Sequence, residues 1–507
     1  MGRGTHVTSP LAPSRVTDPA LSSQILTLSV LDTLRLGADA GAAFLVAGDR
    51  EYPLTELLGT IERRACGIVA AGLRPGDRVG VWLPSSLEAV LWMYAVIAAG
   101  GSAVLVPPRA TAAEAHRLDG LARSRWTIGP LSSLTFITHQ EALAKFDRGA
   151  KVELPAVEAQ TEAVCFTTSG STGTPKLTAL SHRSFAANII ASQIVVGGDT
   201  DEPVLFTLPV CHVAVLHSVH FALVQGRRVA FLPEFNAQGV VQLARDTGAA
   251  YMSGSPAIYG LMLQRCSLPD PQLRFRRISY GSGAMPAHWS AEIGTALGCE
   301  VVNLYGVTEG GGIASVLPPE LAAVKPGSVG ALLPPFDGVT IRDEHWATLP
   351  AGEVGEICLK GPGCMMHYVA NPEETALTIN EGWVRTGDLG RLDADGDLWV
   401  TGRVKDQINR GGLKIGAREV ESVIERLPGV TGVGVVAVHD DLLGERVGAA
   451  VEIPGGGVDA EAVRAACAAA LSDYKVPERI VILDAMPRTP MGKPDKPAIR
   501  KLMHLCG

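Results

Sequence analysis

A strand-like run, a helix-like run and a second strand-like run share residues 76–106, and nothing else in the chain constrains its fold as much. Residues 76–83 read Gly-Asp-Arg-Val-Gly-Val-Trp-Leu, a strand entered from a turn. Residues 85–99 carry an apolar helical pattern, with Ser85 or Ser86 placed to cap its first turn. Gly100 and Gly101 end it, and residues 102–106 form the second strand. Two strands joined through a helix run parallel, because the chain must cross back over the sheet before it re-enters. A parallel sheet in turn needs helices on its faces. The stretch 89–106 has membrane-like hydropathy, but the glycine pair splits it, so it reads as a buried α/β element and not as a span. Strand-like segments 227–232 and 277–280 follow helical stretches in the same way.

From about Gly327 the pattern changes to short strands with Pro/Gly turns, such as residues 352–359, which reads as a β-rich subdomain. The tail changes again. Residues 420–427 read as a helix, 430–438 and 447–453 as paired strands, 459–471 as an Ala-rich helix and 480–483 as a last strand. That is a small α+β unit of about 100 residues, within the usual size of a domain. A chain of 507 residues is in any case too long for one compact core. The expected organisation is a disordered arm over 1–20, an α/β N-terminal domain over 21–402 and a small mobile α+β C-terminal domain over 403–507. The boundary falls at Gly402 and Arg403, just after the Asp395-Gly396 turn.

Composition removes several function classes. The chain is 47% hydrophobic and 19% charged, ordinary for a soluble globular protein. A net charge of −8 without a dense Lys/Arg run argues against nucleic acid and anionic membranes as partners. Nine cysteines without Cys-x-x-Cys spacing argue against a disulfide framework or structural zinc, and suit a reducing cytoplasm. Residues 1–20 lack an apolar signal-peptide core.

Residues 168–176 read Thr-Ser-Gly-Ser-Thr-Gly-Thr-Pro-Lys, directly after a strand-like Cys-Phe-Thr. Glycines let backbone N–H groups converge, and the hydroxyls add donors, so the loop suits phosphate oxygens. It lacks the Gly-Lys-Ser/Thr of a Walker A loop. On its own such a run is more often a surface linker. Four further segments follow in order: Tyr-Gly-Val-Thr-Glu at 305–309, Thr-Gly-Asp at 386–388, Gly-Arg-Val-Lys-Asp at 402–406 leading to Gly411-Gly412-Leu413-Lys414, and Pro-Arg-Thr-Pro-Met-Gly-Lys at 487–493.

Together these segments resemble the adenylate-forming superfamily of acyl-CoA synthetases, aryl and fatty acid ligases, luciferases and peptide-synthetase adenylation domains. The resemblance runs from roughly Tyr52 to Lys501. It implies a two-step acyl-CoA ligase that uses ATP, Mg2+ and CoA. An acid first displaces pyrophosphate from ATP, and a thiol then displaces AMP from the acyl-adenylate. Thr168, Ser169, Gly170, Ser171, Thr172, Gly173 and Lys176 would hold the phosphates. Thr308 would add a hydroxyl to them, and Glu309 would be the Mg2+ ligand, a hard oxygen donor for a hard cation. Tyr305 and Gly306 would meet the adenine, with Gly281, Ser282, Gly283 and Ala284 as the opposite wall. Asp388 would accept from the ribose hydroxyls and Arg403 would add a donor. Lys493 would be the catalytic cation, and His212 would sit beside the carboxylate. Lys405 would be the hinge, and Gly411 and Gly412 would line a pantetheine tunnel in a second pose.

Read alone, each of these residues has a plainer meaning: a turn for Gly-Asp and Gly-Gly, a helix start for Thr-Glu, a core histidine for His212, a solvated surface for Lys493. No aspartate stands between Pro209 and Gln225 to meet an α-amino group, so the acid is expected to be non-amino. Gly310, Gly311 and Gly312 read as space for a bulky apolar acyl group. The chain departs from the family pattern at Leu177, Cys211, Ala417 and Pro494. Leu177 and Pro494 fall beside adenylation motifs, which leaves open a specialist that takes up a supplied adenylate. A ligase that loads a carrier-protein phosphopantetheine is a further alternative, and a silent acyl or nucleotide binder is the alternative outside catalysis.

Overall fold

The computed structural model describes residues 23–46, 50–168, 175–197, 202–283, 285, 287–489 and 493–505. The arm expected over 1–20 lies outside them. The run 76–106 forms the strand Arg78–Val81, the helix Leu87–Ala98 and the strand Ser102–Leu105, and the two strands pair in parallel. Ser86 is the N-cap, its side chain accepting from the Ala89 N–H. Residues 89–98 of this helix are all buried, which explains its membrane-like hydropathy. Among the described residues no helix is long and apolar enough to cross a membrane.

Those strands belong to a seven-stranded sheet. Its order is His367–Tyr368, Lys176–Ser181, Glu162–Thr168, Ser102–Leu105, Arg78–Val81, Trp126–Gly129, Phe136–Thr138. The first two strands are antiparallel additions to a parallel sheet. A second, 14-stranded sheet holds the parallel run Ala43–Val46, Arg228–Phe231, Val204–Phe206, Tyr251–Gly254, Arg277–Tyr280 and Glu300–Val307. At Glu300–Val307 it turns antiparallel and continues through Gly312–Leu317 and Ser328–Leu332 into Trp383–Leu392 and Leu398–Arg403. The β-rich region expected after Gly327 is this continuation. One large apolar cluster fills the space around the buried helix and both parallel sheets.

The C-terminal part has its own sheet and its own core. Gly432–Asp440 and Gly444–Glu452 pair antiparallel, and Arg479–Leu483 joins the latter in parallel. The helices Ala417–Ile424 and Ala460–Ala470 pack there, with Asp459 capping the second. Ile408, Ile415, Val420, Val435, Val447 and Val463 are fully buried within a cluster that contains no residue before Ile408. The fold is a large α/β N-terminal domain with a β-rich extension and a small α+β C-terminal domain.

Candidate active site

The parallel strands of the larger sheet end at one edge. Tyr280 pairs with Asn303 in the parallel register, so the chain leaving as Gly281, Ser282 and Gly283 passes beside Leu304 and Tyr305. A Cβ on Gly281 would lie 3.2 Å from the Leu304 carbonyl oxygen, so a bulkier residue would have to push this wall away. Ala284 lies outside the described residues. The register shifts between Tyr305 and Gly306, and a Cβ on Gly306 would stand 1.8 Å from the Gly312 carbonyl. The Tyr305 ring is buried, and its hydroxyl donates to Asp388 Oδ2 at 3.0 Å. Asp388 faces Arg403 across the Trp383–Leu392 and Leu398–Arg403 pair, and Arg403 Nε reaches Oδ1 at 2.8 Å. The Asp388 charge holds the Arg403 guanidinium firmly protonated. Each Asp388 oxygen has one protein donor and keeps a lone pair, so the buried carboxylate can still accept from a vicinal diol.

At the other end, Thr168 and Lys176 close the antiparallel register of Glu162–Thr168 and Lys176–Ser181. Ser169, Gly170, Ser171, Thr172 and Gly173 lie outside the described residues. Lys176 pairs with Glu374, and its ammonium lies 4.7 Å above the centre of the Tyr368 ring. Thr308 and Glu309 form the turn between Glu300–Val307 and Gly312–Leu317, not a helix start. Glu309 Oε1 accepts from the Tyr368 hydroxyl at 3.0 Å, and its backbone oxygen accepts from the Met365 N–H at 2.8 Å. No cluster of three or more metal-ligating side chains occurs among the described residues. A lone carboxylate fits Mg2+, which keeps waters and takes further oxygens from phosphates.

The glycines after Glu309 do not open a space. A Cβ on Gly311 would stand 1.7 Å from the Gly363 carbonyl, and one on Gly312 would stand 2.3 Å from Asn188 Oδ1. Gly310 meets the Leu359 side chain at 2.9 Å in the same sense. The three residues are small because protein backbone and Asn188 fill the room beside them. Leu177 also needs correction. It is fully buried with Trp82, Cys165, Ala179 and Val369, facing the core behind the sheet. Its departure from the family pattern concerns packing and not the phosphate site.

His212 sits in the turn after Leu208 and Pro209, with Nδ1 accepting from the Ala214 N–H at 3.1 Å. That bond puts the proton of the neutral ring on Nε2. Burial pushes His212 down to about 4, and the nearby charge of Lys493 lowers it further. The small domain therefore presents Lys493 beside the histidine of the large one. Lys493 itself is lowered to about 8, first by the protein packed around it and then by Arg403 and Lys405, while Asp388 pulls it upward. Its side chain nonetheless keeps solvent access. The Lys493 backbone is tied to Thr489 in both directions, with the Thr489 N–H donating to the Lys493 carbonyl at 2.7 Å. Pro494 lies opposite Arg488 in an antiparallel bridge, and Lys493 reaches the cluster with that proline in place.

Lys405 lies in the single turn Val404–Asp406 between the two domains' sheets. Its neighbour Asp406 is held by Lys496, which also pairs with Glu421, each at 3.0 Å. Gly411 and Gly412 form an exposed hairpin turn at φ of 59° and 89°, where glycine alone is unstrained. They bond within their own domain, to Leu443 and Asn409. Cys211 is partly buried, and burial pushes its thiol up to about 11, so it is no nucleophile.

The structure thus joins Tyr305, Asp388 and Arg403 directly, brings Lys405 and Lys493 within electrostatic reach of them and His212 within reach of Lys493, and links Lys176 to Glu309, next to Thr308, through Tyr368. Sequence reading missed Tyr368, Glu374 and Asn188. Asn188 is buried and donates to the Gly311 carbonyl at 2.6 Å, fixing the turn after Glu309. The one local signal is Asn371 ahead of Pro372, a helix-start pattern that says nothing about a site.

The sequence family described as AMP-binding enzyme matches residues 37–369, and that described as AMP-binding enzyme C-terminal domain matches 419–493. Triostin synthetase I of Streptomyces triostinicus is 31% identical over 93% of this chain and 93% of its own length. Long-chain-fatty-acid–CoA ligase FadD13 of Mycobacterium tuberculosis is 31% identical over 86% of this chain and 90% of its own. The structure of ATP-bound MatB from Rhodopseudomonas palustris matches with a TM-score of 0.83 at 27% identity, covering 94% of this chain and 99% of that one.

Proposed function

The chain belongs to the family of AMP-binding enzymes, as an AMP-forming acid–thiol ligase, and we propose on that premise that it joins an apolar, non-amino carboxylic acid to the thiol of CoA; the bulk read from Gly310, Gly311 and Gly312 is not carried forward, because protein atoms fill that room. The observation that carries this reading is the convergence of Lys493, from the small domain, on His212 and Asp388 of the large one.

In the first half-reaction an acid oxygen attacks the α-phosphorus of ATP, the bond to the bridging oxygen breaks, and pyrophosphate leaves. Asp388 accepts from the ribose, while the buried Tyr305 ring and the Gly281 wall take the adenine. The Lys493 ammonium lies between the acid and the α-phosphate and offsets the charge that builds there. His212 is neutral near pH 7, so it offers its Nε2–H to the carboxylate as a donor and adds no second charge. Lys176 and Thr308 meet the departing phosphates. When bound, Mg2+ would neutralise charge on the outer phosphates, and Glu309 would hold it. Catalysis of this kind is positioning and electrostatics. In the second half-reaction a pantetheine thiol attacks the acyl carbon and AMP leaves. We assign that step to a second pose, reached by turning the chain after Lys405 against the chain before it, so that Arg403 stays with Asp388, with the Gly411-Gly412 turn lining the thiol's path.

The non-amino, apolar character of the acid rests on the segment around His212: Val213, Ala214, Val215 and Leu216 after it are apolar and buried, and residues 209–225 contain no carboxylate for an amino group. The eight cysteines among the described residues are free thiols, which supports a cytoplasmic setting. The test is acid-dependent exchange of pyrophosphate into ATP across a panel of aryl, fatty and polycyclic acids, followed by a CoA thioester assay. Thioester with AMP as co-product supports the reading. ADP as co-product, or exchange only with amino acids, defeats it.

A further inference from the structure

Residues 363–378 carry none of the five sequence motifs, yet they brace the phosphate end of the cleft from behind. The Met365 N–H donates to the Glu309 carbonyl at 2.8 Å. His367–Tyr368 adds an edge strand to Lys176–Ser181, with Tyr368 opposite Thr178. The Val369 N–H bonds to the Leu177 carbonyl at 2.9 Å, next to Lys176. One segment therefore fixes the backbone beside both Glu309 and Lys176.

Tyr368 then joins their side chains. It is buried, 6% exposed, and stands between them. Its hydroxyl donates to Glu309 Oε1 at 3.0 Å, which leaves Oε2 turned away from that bond. Its ring lies under the Lys176 ammonium at 4.7 Å, a cation–π distance. Glu374, from the short helix Pro372–Thr378, holds the same ammonium from the other side. A carboxylate that binds a metal is oriented by the donor on its other oxygen. A lysine seated on a ring and paired with a carboxylate has lost most of its rotamer freedom before a phosphate arrives.

We propose that Tyr368 is the positioning residue for the phosphate end of this site: its hydroxyl aims Glu309 at Mg2+ while its ring, with Glu374, seats Lys176 for the β- and γ-phosphates. This rests on the reading of Glu309 and Lys176 given above.

The test uses the full chain and reads binding by calorimetry, with ATP and AMP as ligands and Mg2+ as the variable. Tyr368→Phe keeps the ring and removes only the hydroxyl. The Mg2+ concentration that half-saturates ATP binding should rise about 10-fold, the lower end of the range for losing an orienting partner. AMP affinity, which needs no metal at the outer phosphates, should stay unchanged. Glu374→Gln should do the complementary thing: weaken ATP about threefold at saturating Mg2+, the size of one partly exposed charge contact, with the Mg2+ requirement unchanged. Glu309→Gln is the reference. If it leaves the Mg2+ requirement where it was, the metal reading of Glu309 fails and the inference falls with it. If Glu309→Gln raises the requirement and Tyr368→Phe does not, the inference alone is overturned. Equal losses of ATP and AMP affinity in Tyr368→Phe would make the residue merely structural and overturn it too. Should that variant fold poorly, the Glu374→Gln split between ATP affinity and Mg2+ requirement decides the lysine half.

Discussion

The Asp388 corner and the Lys493 corner of the candidate site are built in opposite ways. Asp388 and Arg403 come from neighbouring strands and Tyr305 from a more distant strand of the same sheet, and they hold one another by contacts of 3.0 and 2.8 Å. Lys493 comes from another domain and meets the cleft through charge, its backbone tied only to its own loop. The first corner is fixed wherever the small domain stands. The second exists only while the small domain faces the cleft in this pose. A group needed in both half-reactions belongs in the first, and a group needed in one belongs in the second.

Substitutions at the two corners should therefore fail differently. Asp388→Ala should have the largest effect. It removes the ribose acceptor and strands the Arg403 guanidinium and the Tyr305 hydroxyl. Losing two charge-assisted contacts to the nucleotide, about 1.5–3 kcal/mol each, comes to about 10²- to 10⁴-fold. Both pyrophosphate exchange and thioester formation from a supplied acyl-adenylate should fall together. Lys493→Ala comes next, at about 10²–10³ in rate for one lost transition-state charge contact. It should strike exchange alone. Equal damage to both half-reactions in Lys493→Ala would erase the distinction between the corners.

Leu177 shows where sequence reading stopped. Its place beside Lys176 in the motif makes it look like an adenylation residue. A strand alternates faces at every residue, so Lys176 and Leu177 point opposite ways, and Leu177 is fully buried. Leu177→Gly should cost about 3 kcal/mol of stability through the cavity it leaves, read as a lowered unfolding midpoint, and should not speed adenylation. The parallel sheets, the β-rich continuation and the small domain were legible because period and turn chemistry are local. So were Asp388, Tyr305 and Lys493, because each sits in a recognisable run. Tyr368, Glu374 and Asn188 were not. Their roles are set by tertiary neighbours 59, 198 and 123 positions away, and no local pattern carries such a distance. The glycines after Glu309 misled for the same reason, since Gly363 and Asn188 fill what the sequence left blank.

Lys405→Pro tests the comparison from the hinge side. Proline fixes φ and biases Val404 before it toward extended geometry. If the substitution holds the pose seen here, exchange should survive and thioester formation should drop. The reverse pattern would mean that Lys405 serves the lysine corner and not the turn away from it.

The smallest effect expected is a displacement along the pH axis. In the proposed mechanism Lys493 acts as a cation, and a value lowered to about 8 predicts that adenylation declines as pH rises through that point. An unperturbed lysine would hold its proton past pH 10. Arg403 is the largest charge that lowers it, and Asp388 raises it. Arg403→Gln removes the repulsion and also leaves the Asp388 charge unshared, and both changes favour protonated Lys493. The alkaline limb of the exchange profile should therefore move to higher pH, even though the rate on the plateau falls with the loss of a ribose donor. Thioester formation from a supplied adenylate should show no matching movement, because Lys493 has no part in it. A limb that stays in place would mean that the decline near pH 8 belongs to another group, and that the two corners are not coupled through Arg403.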